Sequence, residues 1–242
     1  MHGERIGRPS VTDRSRPGFY LTSVPMATVE QRAVVHSRAN VRWWPAALAF
    51  ILLGVAYALV SERLTVGSRW ALLVVAVLAV IGGRILHWRG MISATRWVII
   101  TALAAVTGAL TASEAFLVGA LIEHSLEGKT LLISGVLLWA SNILTFALWY
   151  WETDGGGPHH RHATRCGSTD FAFPQKVLGG DDLADWMPEF VDYMFLAFNT
   201  NTAFSPTDTM VLGRRVKMMM MYQSILSLIT VVVLVARAIN AI

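Results

Sequence analysis

A single cysteine, Cys166, stands in 242 residues. That excludes an intrachain disulfide and leaves packing alone to hold the fold. Charge is scarce as well: Asp, Glu, Lys and Arg make up 15% of the chain, against about 25% in soluble globular proteins. Catalytic signatures are missing. No Ser-His-Asp order, paired-carboxylate motif or Gly-rich cofactor fingerprint occurs, so no catalytic residue and no cofactor is expected. Gly155-Gly156-Gly157-Pro158 lacks a following Lys-Ser/Thr, which removes a nucleotide-binding loop. Residues Met1–Arg42 hold seven arginines but no apolar stretch of the kind a cleavable signal needs.

What the chain has in quantity is long apolar runs. Hydrophobic residues reach 54% and the mean hydropathy is +0.50. Five runs stand out: Trp43–Val60, Trp70–Trp88, Trp97–Ile122, Thr130–Trp151 and Met218–Ala236. A hydrocarbon core of about 30 Å needs roughly 20 apolar residues as helix, and each run comes within a few residues of that. The expected fold is an all-α, polytopic transmembrane bundle of five spanning helices. Four of these fall within 43–151, after a basic tail over 1–42. A polar loop over 152–185 leads to a last part, 186–242.

The basic residues sort by side. With the N-terminus inside, sixteen Lys and Arg fall inside: the seven tail arginines, Arg84, Arg89, Arg96, Arg161, Arg165, Lys176, Arg214, Arg215 and Lys217. Only Arg63, Arg69, Lys129 and Arg237 fall outside. This bias orients the bundle in a plasma (inner) membrane with the N-terminus cytoplasmic. Tryptophans at the run ends (Trp43, Trp44, Trp70, Trp88, Trp97, Trp149, Trp151) suit the headgroup level. The pI of about 9.6 therefore reflects membrane edges, and no nucleic-acid partner is expected. The tail is expected to be flexible, helical only near Val29–Arg38, and to touch anionic lipid.

Between the fourth and fifth runs, Trp186–Leu212 is partly apolar, but its uninterrupted apolar core is far too short to cross. That core is Tyr193–Phe198, flanked by Glu189, Asp192, Asn199, Asn201 and Asp208. A mid-membrane Asp costs about 2.5–3.5 kcal/mol, so a re-entrant or interfacial helix is expected in place of a span. Ser205-Pro206-Thr207-Asp208 reads as a helix start or turn, and Arg214, Arg215 and Lys217 as interfacial anchors for the last helix. Asp192, Asn199, Asn201, Thr202, Thr207 and Asp208 are the candidates to line a pore or polar vestibule.

The order of short helix, Thr-rich turn, Asp, basic pair and long apolar helix weakly resembles the pore half of tetrameric cation channels. Thr202-Ala203-Phe204-Ser205-Pro206-Thr207-Asp208 departs from their filter by its proline and its lack of glycine, so potassium-type selectivity is not expected. A second resemblance rests on FALWYWETDGGGP (Phe146–Pro158), DFAFPQ (Asp170–Gln175) and DYMFLAFNTNTAFSPTDTM (Asp192–Met210) with Arg214-Arg215. These blocks resemble a family of bacterial predicted integral membrane proteins known only as a domain of unknown function. They fall in about two fifths of the chain. The resemblance implies a membrane bundle and no established activity.

Two polar residues lie inside apolar runs, Glu114 and Asn142. Such groups face the bundle interior and pair, or serve an ion path. Thr111, Asn142 and Ser141 are the expected partners of Glu114. His159, His160, His162 and Cys166 follow H-H-x-H-x-x-x-C, which matches no zinc pattern, so a flexible loop without metal is expected. The Gly155–Gly157 triplet reads as a helix stop, with Pro158 hindering resumption. The leading function from sequence is channel- or transporter-like permeation of ions or small solutes. The alternative is a scaffold or accessory subunit binding a membrane-protein partner through Glu152–Asp185, and a homo-oligomer fits either.

Overall fold

The computed structural model describes residues 42–164, 169–179, 183, 186–202 and 208–239. Residues 1–41 of the basic tail, Arg165, Cys166 and the Ser205–Thr207 turn lie outside the described residues. Eight α-helices are present among those described: α1 Trp44–Leu59, α2 Ala71–Trp88, α3 Ile92–Ile122, α4 Gly128–Thr153, α5 Pro158–Thr164, α6 Pro174–Leu178, α7 Phe190–Thr202 and α8 Arg214–Ile239. Two short strands, β1 Phe171–Ala172 and β2 Met210–Val211, pair antiparallel. The chain is an all-α helical bundle.

Four helices, α2, α3, α4 and α8, are long and apolar enough to cross a membrane. The expected first span differs. It forms α1, whose 16 residues rise about 24 Å, short of a hydrocarbon core of about 30 Å. Trp43 and Val60 flank the helix as its caps, which is why an 18-residue run yields a shorter element. The long helices carry large apolar side chains on their outward faces, as lipid-facing helices do. Leu78, Trp97, Ile122, Leu228 and Ile239 are exposed on the outside, while Leu103, Leu117, Leu138 and Ala197 are buried inside.

Local chemistry sets the turns. After α2, Gly90 takes φ +74°, and its amide and that of Met91 close on the carbonyls of His87 and Leu86, both at 3.0 Å. This glycine-centred closure satisfies carbonyls that the helix end leaves free, and α3 begins two residues later.

The bundle has two ends, and consecutive long helices alternate between them. At one end Arg42 pairs with Glu189 at 3.6 Å, Arg84 lies over the rings of Trp43 and Trp88, and His87 stacks on His159. At the other end Arg63 donates to the Ser125 carbonyl at 2.8 Å, Arg69 pairs with Glu62 at 3.3 Å, and Gly128 packs on the Arg237 guanidinium. Arg42 and Arg84 thus lie at one end of the bundle, and Arg63, Arg69 and Arg237 at the other. Arg214, Arg215 and Lys217 are exposed at the first turn of α8.

Helix α7 does not cross. It starts at the His87 end, with Phe190 edge-on to Trp151. It then runs antiparallel along α4 until the Asn201 amide meets the Trp139 carbonyl at 3.2 Å. Trp139 precedes Trp151 by 12 positions, about 18 Å along the helix. By Met210 the chain is back at the starting end, paired with Ala172. Residues 186–202 therefore enter the bundle from the end at which 208–212 also lie, with α7 packed against α4 and α8.

Candidate functional site

Polar side chains gather on a buried seam between α3, α4, α7 and α8. On α8, Gln223, Ser227 and Thr230 are all buried. Their i, i+4, i+7 spacing puts them on one face. The Tyr150 hydroxyl donates to Gln223 Oε1 at 2.6 Å, and Gln223 Nε2 donates to the Ala197 carbonyl at 2.8 Å. Asn142 Nδ2 donates to Asn201 Oδ1 at 2.8 Å and to the Gln223 carbonyl at 3.2 Å. Ser227 donates to the Asn201 carbonyl at 2.5 Å. One turn farther along α8, Thr230 donates to Glu114 Oε1 at 2.7 Å. Seam polarity is therefore spent mainly on holding α7 to α4 and α8.

Four polar atoms in this region have no hydrogen-bond partner among the described residues: Glu114 Oε2, Asn142 Oδ1, Ser141 Oγ and Asn199 Nδ2. Their residues are 0–6% exposed. An unpaired buried polar atom costs about 1–3 kcal/mol, so each requires an explanation.

Above the seam, where α4 ends, lies a second polar cluster. Gly155, Gly156 and Gly157 take φ of 55°, 83° and 99°, values that side-chain-bearing residues avoid. This run turns the chain sharply within a short 3-10 segment, Asp154–Gly156. The helix stop is as expected, but resumption is immediate. Pro158 opens α5, because a proline at the first helical position forfeits an amide that has no partner there anyway. The turn aims the wholly buried Asp154 inward. Its Oδ1 accepts from the amides of Thr169 at 3.0 Å and Asp170 at 2.9 Å, and its Oδ2 accepts from the Tyr193 hydroxyl at 2.5 Å. Arg161, also fully buried, donates Nη1 to the carbonyls of Trp151 and Asp154. It lies between the rings of Trp151 and Tyr193, 4.8 and 5.1 Å from their centroids. Burial and the neighbouring Asp154 charge push the Asp170 carboxyl up, against the pull of the Gly155 amide and Arg215.

Of the vestibule candidates, Asn199 and Asn201 are buried and Thr202 is half-buried, all at the inner end of α7. Asp192 is not with them. It sits in the first turn, where Oδ2 accepts from the Glu189 amide at 2.7 Å, one half of a capping box. Asp208 is exposed ahead of β2, and Thr207 lies outside the described residues. Of the five described, Asn199, Asn201 and Thr202 lie together and Asp192 and Asp208 lie elsewhere. Asn142 and Glu114 do lie on the seam, with a correction to the expected pairing. Thr111 bonds the Thr107 carbonyl and the Tyr222 hydroxyl, and the partner of Glu114 is Thr230. Gln223, Tyr150, Asp154, Arg161 and Tyr193 were not singled out from sequence. For the α8 face the available signal was the spacing of Gln223, Ser227 and Thr230 within an apolar run.

The histidines disperse, and the segment carrying them is α5, not the flexible loop expected. His160 Nδ1 meets the Gly155 carbonyl at 2.8 Å, while His159 stacks on His87 with centroids 4.5 Å apart. Among the described residues no group of three metal-ligand side chains comes together. Burial lowers the His159 pKa below 6.5, with the His87 and His162 charges adding to the effect. A His pKa depressed by folding contributes stability that is present above 6.5 and lost as pH falls through the folded value. Thermal unfolding of detergent-solubilised protein should thus show a midpoint that drops between pH 7.5 and 5. His159→Phe, which keeps a ring on His87, should flatten that slope, and an unchanged slope would remove His159 from the account.

No family model, curated protein or solved structure matches the chain, so function is argued from the geometry of the seam.

Proposed function

We propose that the protein sits in a bacterial inner membrane, with residues 1–42 and 152–185 cytoplasmic, and passes an ion or small polar solute along the seam between α3, α4, α7 and α8. One observation carries the reading: α7 ends inside the bundle and buries its polar C-terminal residues, Asn199 and Asn201, beside Asn142. Membrane proteins tolerate a helix ending at depth only where protein or a watery cavity surrounds it. Discontinuous helices of this kind form the ion and solute sites of secondary transporters. The bare acceptors Glu114 Oε2 and Asn142 Oδ1 support the same reading, since a purely structural network would satisfy them. The segregation of basic residues to the His87 end supports the orientation.

Purified protein in liposomes tests it. Vesicles loaded with a panel of radiolabelled cations and small solutes should release at least one of them faster than protein-free vesicles. Vesicles that stay silent at high protein load, together with a stoichiometric partner crosslinked to residues 152–185 in native membranes, would replace permeation by the scaffold role.

A further inference from the structure

We infer that α5 is a plug over the His87 end of the seam, released when the stacked imidazoles of His87 and His159 both take up protons. Control of permeation by this plug rests on the transport reading above; the movement of α5 does not.

Helix α5 and the glycine that leads into it lie against three of the four helices that enclose the seam. From α4, the Trp151 carbonyl accepts from Arg161 Nη1 at 2.9 Å, and the Trp151 ring lies 4.8 Å from the guanidinium. From α7, the Tyr193 ring lies 5.1 Å away. From α3, Arg96 Nε lies 3.9 Å from where a side-chain carbon on Gly157 would stand. A further contact comes from α2, where His87 stacks on His159 with centroids 4.5 Å apart and planes 20° apart. Moving α5 therefore uncovers that end of the seam.

Docking is held against a cost. Arg161 Nε and Nη2 have no partner among the described residues, so three of the five guanidinium N–H donors stay unused in a side chain with no solvent exposure. A guanidinium does not shed its charge, and an outward swing of α5 brings water to those donors. The joint for such a swing is Gly155-Gly156-Gly157, whose left-handed φ angles glycine enters and leaves without a side chain's penalty.

The trigger is the ring pair. His87 Nδ1 has no partner among the described residues, so stacking joins the rings. Two neutral imidazoles tolerate that contact, whereas two imidazolium rings face to face repel. The surrounding charges favour repulsion. His162 and Arg161 share α5 with His159, while Glu189, the carboxylate that acts on His162, is already paired with Arg42 at 3.6 Å. Glu152 on α4 is engaged by Arg161 and Arg96. Burial, then the His87 and His162 charges, hold His159 below its usual 6.5. Burial and Arg161 lower His162 against the pull of Glu189. Groups depressed in this way favour the docked state above pH 6.5 and lose that contribution as pH falls through their folded values.

The test uses the full chain in detergent with Cys166→Ser and spin labels at Ala163→Cys in α5 and Met91→Cys beyond α2, both exposed positions. One short distance is expected at pH 7.5. At pH 5 a second population should appear, longer by about 10 Å, the width of a helix. His87→Phe combined with His159→Phe keeps two rings without a proton site and should hold the short distance at both pH values. His87→Lys sets a permanent charge against His159 and should show the long distance already at pH 7.5, which decides the matter even where the phenylalanine pair fails to fold. Distances unchanged down to pH 5, or an equal shift in the phenylalanine pair, would overturn the plug. In liposomes, flux should rise about tenfold from pH 7.5 to pH 5 as the released state becomes dominant. Movement of α5 in vesicles silent at both pH values keeps the plug and rejects permeation. Equal flux at both pH values with α5 fixed rejects the plug and keeps permeation.

Discussion

Asp154→Ala is expected to open the end of the bundle where α4, α5 and α7 meet. The carboxylate accepts three hydrogen bonds from three different places: the amides of Thr169 and Asp170 and the hydroxyl of Tyr193. Alanine leaves all three donors without their acceptor, the Tyr193 hydroxyl in a site closed to solvent. Breaking such a buried charged arrangement from one side costs about 3–5 kcal/mol, a large part of a typical stability of about 5–15 kcal/mol. In a chain of this length the thermal midpoint should fall on the order of 10 °C. Limited proteolysis should begin to cut within 155–185. Asp154→Asn, which keeps one oxygen acceptor, should fall between alanine and wild type. A variant that melts within a degree of wild type would show that Asp154 is not the clasp described.

The second large effect is expected at Gln223. Its side chain, like that of Asn142, joins α4, α7 and α8 at once, accepting from Tyr150 and donating to the Ala197 carbonyl. Gln223→Leu fills the space and removes both bonds. Interhelical hydrogen bonds in membranes average about 0.6 kcal/mol and reach about 1.7, so the fold should survive. Position should not. With α7 free to shift against α8, the Asn142–Asn201 contact loosens, and flux in liposomes should change about tenfold, the equivalent of ~1.4 kcal/mol. Gln223→Glu retains the Tyr150 contact and loses the donor to Ala197, so it should have a smaller effect. Unaltered flux in the leucine variant would separate the α8 face from the transport path.

Much of the architecture is legible because membrane helices announce themselves by length and hydropathy. All five apolar runs became helices, with α3 extending back to Ile92 and α8 forward to Ile239. The failure of Trp186–Leu212 to span is legible too, since Asp192 and the two asparagines interrupt it. What sequence could not supply is which polar groups meet. Glu114 and Thr230 are 116 positions apart, and no local pattern links them, so nearby Thr111 was the natural partner to expect. Asp154 was hidden for a different reason. Its glycine triplet reads fully as a stop, and nothing in a stop foretells that the preceding carboxylate turns inward to hold α7. Asp192 shows the converse: an acidic residue beside an apolar core suggests a vestibule, and helix capping accounts for it at the other end of α7.

The central claim is that 186–202 enter the bundle from the same end at which 208–212 lie. Single cysteines placed along it in a Cys166→Ser background, probed in sealed vesicles of both orientations with a membrane-impermeant maleimide, test this directly. Positions near Glu189 and Met210 should label from the same, cytoplasmic side, while Leu196, Ala197 and Asn201 resist labelling from either side. Labelling of the two flanks from opposite sides, or uniform labelling throughout, would contradict it.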